Sequence, residues 1–157
     1  ARSLVETWGG QPNGQQVASK LRASGYHGCW VLALGTNDTA NVAVGSPVSR
    51  ADRIRQLMTL VAGQPVLWVN VVSLLPSGAY SEANMRLWDR ALVQACARYP
   101  NMAVYDWAAA ARRSWFISDG VHYTTPGYAA RSRDIAQALA AAFPARRGGH
   151  RSRCLVS

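Results

Sequence analysis

The chain has 157 residues, 49% apolar and 16% charged, with a formal net charge of +9. It is long and apolar enough for one domain with a sizeable core, which excludes a disordered or fibrous chain. No apolar run approaches the roughly 18 to 20 residues that span a bilayer, and the chain opens without an initiating Met or a signal peptide, as a processed product or a fragment would.

The first predicted element is a helix over 15–24, "QQVASKLRAS", with Val17, Ala18 and Leu21 on one face and Gly25 as its stop signal. "CWVLALG" (29–35), bounded by glycines, predicts a buried strand, and "TNDTANVAVGSPV" after it predicts a loop. Ser49 caps the next helix, with Asp52 three residues on near the positive helix end. Ile54, Leu57, Met58 and Val61 give that helix its apolar stripe, and Gly63 ends it. "PVLWVNVV" (65–72) predicts a second buried strand. Residues 82–98 predict a helix with Met85, Trp88, Leu92, Ala95 and Cys96 inward. "MAVYDW" (102–107) predicts a third strand, after which Asp106 can cap a turn. Thr125 then caps a last helix, with Pro126 at its first position, running to about Phe143.

Strands alternating with helices imply an α/β domain over 1–143, with a parallel sheet covered on both faces. Three strands are fewer than the usual five or six, so the first strands of the sheet are expected to lie upstream. The remaining segment, 144–157, holds Arg146, Arg147, Arg151 and Arg153 and no acid. It predicts a disordered basic tail, more simply a solvated one than an anchor, though capable of weak contact with an anionic surface. No specific nucleic-acid partner is expected. Cys29, Cys96 and Cys154 have no metal-ligand spacing. If the protein is exported, Cys29 and Cys96 could pair and leave Cys154 free; buried free thiols are an equal alternative.

Ligands of open parallel sheets bind beyond the carboxyl ends of the strands. "GTND" after the first strand and "SDGVH" before the last helix bring polar groups to that edge. Asp119 and His122 lie three apart across a glycine. A carboxylate accepting from one imidazole nitrogen fixes the tautomer and leaves the other nitrogen as a base. Taken alone, the stretch reads more simply as a carboxylate capping a backbone amide beside an exposed imidazole. Asn37, just past a strand and a glycine, can aim an amide donor at an oxyanion, but its sequence is also plain turn chemistry. Trp68, Trp88 and Trp107 read as core; Tyr123 and Tyr128 read as pocket lining or as core.

Together, "LALGTND" and "DGVHYTTPGY", with "PVLWVNV" and "NMAVYDW" between them, resemble blocks of the SGNH (GDSL-type) serine hydrolase family, in its actinobacterial branch. The resemblance runs from about Gly10 to Phe143. It implies a flavodoxin-like three-layer α/β/α sandwich and a secreted or envelope-associated esterase or acyl transferase. The substrate implied is a small acyl ester or an acylated carbohydrate, with no cofactor and no metal. By motif, His122 would be the general base and Asp119 its orienting partner. Asn37 would be an oxyanion donor, with Gly10 supplying a backbone amide unless the corresponding glycine precedes Ala1. The Gly-Asp-Ser block that carries the family's nucleophile has no counterpart here. Ser3 follows no apolar strand, and Ser46, Ser73 and Ser118 lie in loops of another context. The nucleophile is therefore expected outside this chain. The alternative is a degenerate, non-catalytic SGNH domain that binds carbohydrate or protein.

Overall fold

Three strands form within the predicted apolar runs: β1 (Trp30–Leu32), β2 (Val66–Val69) and β3 (Met102–Tyr105). The structure, a computed structural model, describes residues 2–144 and 154–157. A fourth strand, β4 (Leu155–Val156), completes an all-parallel sheet of order β1-β2-β3-β4. Side chains alternate across it. Val66, Trp68, Met102 and Val104 enter one apolar cluster, and Leu67, Val69, Ala103 and Tyr105 enter another. The two clusters make the molecule a three-layer α/β/α sandwich of flavodoxin-like form.

The first face is covered by α1 (Gly14–Ala23), α3 (Arg50–Val61) and α4 (Glu82–Arg98). Each starts at a side-chain cap: Asn13 accepts from the Gln16 amide, Ser49 from Asp52 and Ser81 from Asn84. The stripes of α3 and α4 are buried as their periodicity predicts, from Ile54 to Val61 and from Met85 to Cys96. Leu21 departs from this, being exposed on α1. The second face carries α5 (Trp107–Ala110), capped by Asp106, and α6 (Thr125–Ala142). Thr124, not Thr125, caps α6, accepting from the Gly127 amide, and Pro126 therefore falls at the second helical position. Strand β1 is an edge: Trp30 and Leu32 are buried, while Val31 on its other face is 41% exposed.

Two expectations about loops and termini are corrected. Residues 36–43 form a helix, α2 (Thr36–Ala43), rather than a loop. Its Asp38, Thr39 and Ala40 are buried, so tertiary burial overrides a turn-like sequence. The expected disordered tail is ordered at residues 154–157. Val104 donates its amide to the Cys154 carbonyl at 2.7 Å, and Asp106 to that of Val156 at 2.9 Å. Arg146, Arg147, Arg151, Arg153 and His150 lie outside the described residues.

That pairing also decides the cysteines. Strand β4, lying beside β3, sets Cys154 against the last buried turn of α4. Cys96 and Cys154 form a disulfide, with Cα atoms 5.9 Å apart. Neither alternative left open by the sequence holds: Cys29 does not pair with Cys96, and it is not a buried thiol, being exposed and unpaired just before the edge strand.

A buried charge cluster ties the amino-terminal segment to the helical layer. Arg53 on α3 has a fully buried side chain and donates through Nη1 to Asp38 Oδ1 at 2.8 Å and Glu6 Oε2 at 2.6 Å. Its Nη2 also pairs with Glu6 Oε1 and donates to Ser46 Oγ at 2.7 Å. Ser3 Oγ lies between the two acids, 2.5 Å from Glu6 and 2.9 Å from Asp38. The Leu4 amide donates to the same Asp38 oxygen at 2.9 Å. A buried guanidinium is tolerated where its donors are met in this way.

Candidate active site

The loop between α5 and α6 forms a small hairpin whose tip is Asp119-Gly120. Phe116 bridges to Tyr123, the Ile117 amide donates to the His122 carbonyl at 3.0 Å, and the Gly120 amide donates to the Ile117 carbonyl at 3.0 Å. Gly120 takes φ +68°, a left-handed conformation that favours glycine. Below the tip, Trp107 and Trp115 stack at 5.6 Å between centroids, with Tyr123 edge-on to Trp107 at 5.4 Å. The base of α6 fits closely here, since a Cβ at Gly127 would come within 2.7 Å of the Trp115 carbonyl oxygen. The Leu74 amide holds the tip from the other side, donating to the Gly120 carbonyl at 2.8 Å.

Asp119 performs both tasks that its sequence allowed. Its Oδ1 accepts from the amides of Val121 and His122 at 2.8 and 2.9 Å, and its Oδ2 meets His122 Nδ1 at 2.7 Å. The His122 amide, then the Val121 amide and the imidazole, hold the Asp119 carboxyl down at about 2. Nδ1 is thereby the donor to an ionised carboxylate. Nε2 is left without a protein partner among the described residues.

Asn37 lies in the first turn of α2. Gly35, before it, takes φ +146°, and a Cβ there would lie 2.3 Å from Trp88 Nε1, so the strand-to-helix turn requires glycine. Tyr80 Oη donates to Asn37 Oδ1 at 3.1 Å, which fixes the amide. Asn37 Nδ2 donates to the Arg2 carbonyl at 3.1 Å, and an amide nitrogen has a second hydrogen to give.

Asn37, Asp119 and His122 line one cleft of about 420 Å³ beyond the carboxyl ends of β1 and β2. Tyr123 and Tyr128 line it too, while Trp68, Trp88 and Trp107 are core. Gly10 does not line the cleft: it sits in a turn bridging Trp8 and Gln11, with φ +71°. No serine among the described residues lines the cleft either. Ser3 and Ser46 are held in the Arg53 cluster, and buried Ser73 donates to the Tyr80 carbonyl at 2.5 Å. Thr36 is the one aliphatic hydroxyl on the wall among the described residues, and no hydrogen bond links it to His122.

Sequence reasoning missed several wall residues. Arg2 reaches the cleft because the Asp38–Arg53 cluster anchors the two residues after it, an ion-pair arrangement that no local pattern announces. Tyr80 comes from an irregular loop. Arg131 sits nearly two turns into α6, eight residues from Tyr123, and its position follows only once the helix is docked. Asn70 forms part of the floor, donating to Asp106 Oδ1 at 2.9 Å and accepting from the Ala108 amide at 2.8 Å. Behind it, burial pushes Asp89 up to about 7, with Asp106 adding to the rise, although Asp89 accepts from the Val71 amide.

An oriented imidazole, an aimed amide and a half-enclosed apolar wall suit proton transfer to and from an oxygen nucleophile beside a developing oxyanion. Among the described residues no three His, Cys, Asp or Glu side chains gather as a metal site. None of their helices is long and apolar enough to cross a membrane. The chain matches no protein-family model and no curated protein sequence.

Proposed function

We propose that this chain is the base-and-oxyanion portion of an SGNH-type ester hydrolase or acyl transferase. One observation carries the proposal: Asn37 and the hydrogen-bonded His122–Asp119 pair line the same cleft at the carboxyl edge of a parallel sheet. The nucleophilic serine is supplied by residues beyond these 157. Its hydroxyl attacks the acyl carbonyl and passes its proton to His122 Nε2. Asn37 Nδ2 and backbone amides hold the tetrahedral oxyanion, and the imidazolium then protonates the leaving alcohol. A water or a sugar hydroxyl, deprotonated by the same imidazole, resolves the acyl-enzyme. The substrate is a small acyl ester or an acylated carbohydrate. The Cys96–Cys154 bridge supports placing the protein in an exported, oxidising setting.

A second reading, a non-catalytic carbohydrate- or protein-binding domain on the same frame, is favoured by the lack of a serine on the described cleft wall. A fluorophosphonate probe separates the two. The 157-residue chain should not label. A version extended through its native upstream coding sequence should label stoichiometrically and hydrolyse short aryl esters, and His122→Ala should remove most of that turnover. Asn37→Ala should lower its kcat by about 10²- to 10³-fold. An extended protein that neither labels nor turns over establishes the non-catalytic reading.

A further inference from the structure

Among the described residues, Arg53 has a fully buried guanidinium and Arg131 a partly buried one, and the fold treats them differently. Arg53 meets two carboxylates. Arg131, on the cleft wall, meets none: among the described residues its side chain has no hydrogen bond and no ion pair, and its Nε is buried without a partner. It is held instead against rings, 5.8 Å from the centroid of Trp107 and 5.8 Å from that of Tyr123. Cation–π contact orients a guanidinium but does not replace a counter-charge. Burial lowers the Arg131 pKa, and only tyrosines, not carboxylates, act against that. Among the described residues the one carboxylate on the cleft wall, Asp119, is already engaged by His122 and two amides. Among the described residues the other cation on the wall is Arg2, so that wall holds positive charge in excess. The Arg131 Nη groups, unbonded and not enclosed as Nε is, form a planar fork that matches a carboxylate end-on.

We propose that Arg131 is an anion-recognition site, and that the ester taken by the cleft bears a carboxylate that pairs with it. The proposal rests on the cleft being an ester site, and it adds that neutral esters are not the preferred ligands. A single unit charge on the ligand balances the unpaired guanidinium of Arg131, while Arg2 at the rim draws the anion in. Held this way, the ligand's orientation is fixed from the α6 side of the cleft that Asn37 also lines.

The test needs no chemistry and uses the 157-residue chain. Monomethyl succinate and its neutral counterpart dimethyl succinate are titrated against the protein, with His122 and Tyr128 ring resonances as the readout. The anionic ester should bind at least about tenfold more tightly than the neutral one, the scale of a hydrogen-bonded ion pair. Arg131→Met should remove that preference, and Arg131→Lys should keep part of it. Equal affinity of the unsubstituted chain for both esters overturns the proposal without any variant. So does an Arg131→Met chain, folded by circular dichroism, that retains the full preference. Failure of the esterase reading would appear elsewhere, as absent labelling of the extended protein while Arg131-dependent binding persists.

Discussion

Replacing Arg53 with methionine should cost about 3–5 kcal/mol of folding stability, the usual consequence of leaving a buried charge without its partner. The structure supplies the reasons. The Arg53 side chain is fully buried, as is that of Asp38, and Asp38 Oδ2 already has no hydrogen-bond partner. Without the guanidinium, Asp38 keeps only Ser3 Oγ and the Leu4 amide, and Glu6 loses the contact that chiefly holds its carboxyl well below the usual carboxylate range. A domain of this size is stable by about 5–15 kcal/mol, so the variant should remain folded but melt well below the parent. Urea denaturation followed by tryptophan fluorescence at neutral pH measures the difference. Acid provides an independent check. The depressed Glu6 pKa means that the unfolded chain binds a proton there first, so this contact's stabilisation is present above about pH 4.5 and fades as pH falls towards the folded value. The variant should lose that part of the acid dependence. Adding Asp38→Leu to the variant should recover stability, because an apolar replacement of both partners removes the stranded charge. A loss below about 1 kcal/mol in Arg53→Met, or a further loss on adding Asp38→Leu, would refute the reasoning.

Three further outcomes follow from the geometry. Cys154→Ser should destabilise the fold by about 2–4 kcal/mol, since the bridge closes a separation of 58 residues, and in the parent a reducing agent should have the same effect; equal denaturation midpoints with and without reductant would deny the bridge. The Asp119 carboxyl should titrate at about 2 by carbon-detected NMR, and its value should rise toward the ordinary range in His122→Ala, though only in part because two backbone amides remain; an ordinary value in the parent would contradict the dyad. Asp89, pushed up to about 7, binds its proton more readily when folded, so its effect favours folding below about pH 4 and turns against it as pH rises through 7. Asp89→Asn should therefore raise stability at pH 8, on the order of 1–3 kcal/mol, and leave it nearly unchanged at pH 4; equal effects at the two pH values would show that the carboxyl is not buried as described.

The elements that were legible in the sequence are those whose burial is periodic. The stripes of α3 and α4 and the Val-rich core of β2 state their own faces, and Ser49 states its cap. What stayed hidden depends on partners distant in the chain. Helix α2 reads as a turn because Thr36, Asn37 and Asp38 are turn formers. It becomes a helix where Asp38 finds Arg53, 15 residues on, and Ser3, 35 residues back. A two-residue strand such as β4 has no period to read, and the Cys96 partner could not be chosen without it. At the site, Asp119, His122 and Asn37 each read alone as plain capping or turn chemistry, and only the joint resemblance of their two stretches to a known family singled them out. Arg131 looks from sequence like any helical arginine, and only its missing counter-charge sets it apart. Gly10 was chosen as the counterpart of a family glycine at a plausible spacing from Asn37, and neither resemblance nor spacing reveals which way a turn faces.

The Cys96–Cys154 bridge imposes an order of events on the growing chain. Cys96 is made 58 residues before the sulfur it will join. At about 5–20 residues per second, this amounts to roughly 3–12 s in which α4 and β3 can be assembled while their closing strand does not yet exist. Through that interval the other thiol already made is Cys29, the exposed one beside the edge strand. The native pairing is therefore protected by the speed with which α4 carries Cys96 into the core. A mutation that slowed the docking of that helix would be felt first as a wrong bridge to Cys29, and only afterwards as a loss of stability.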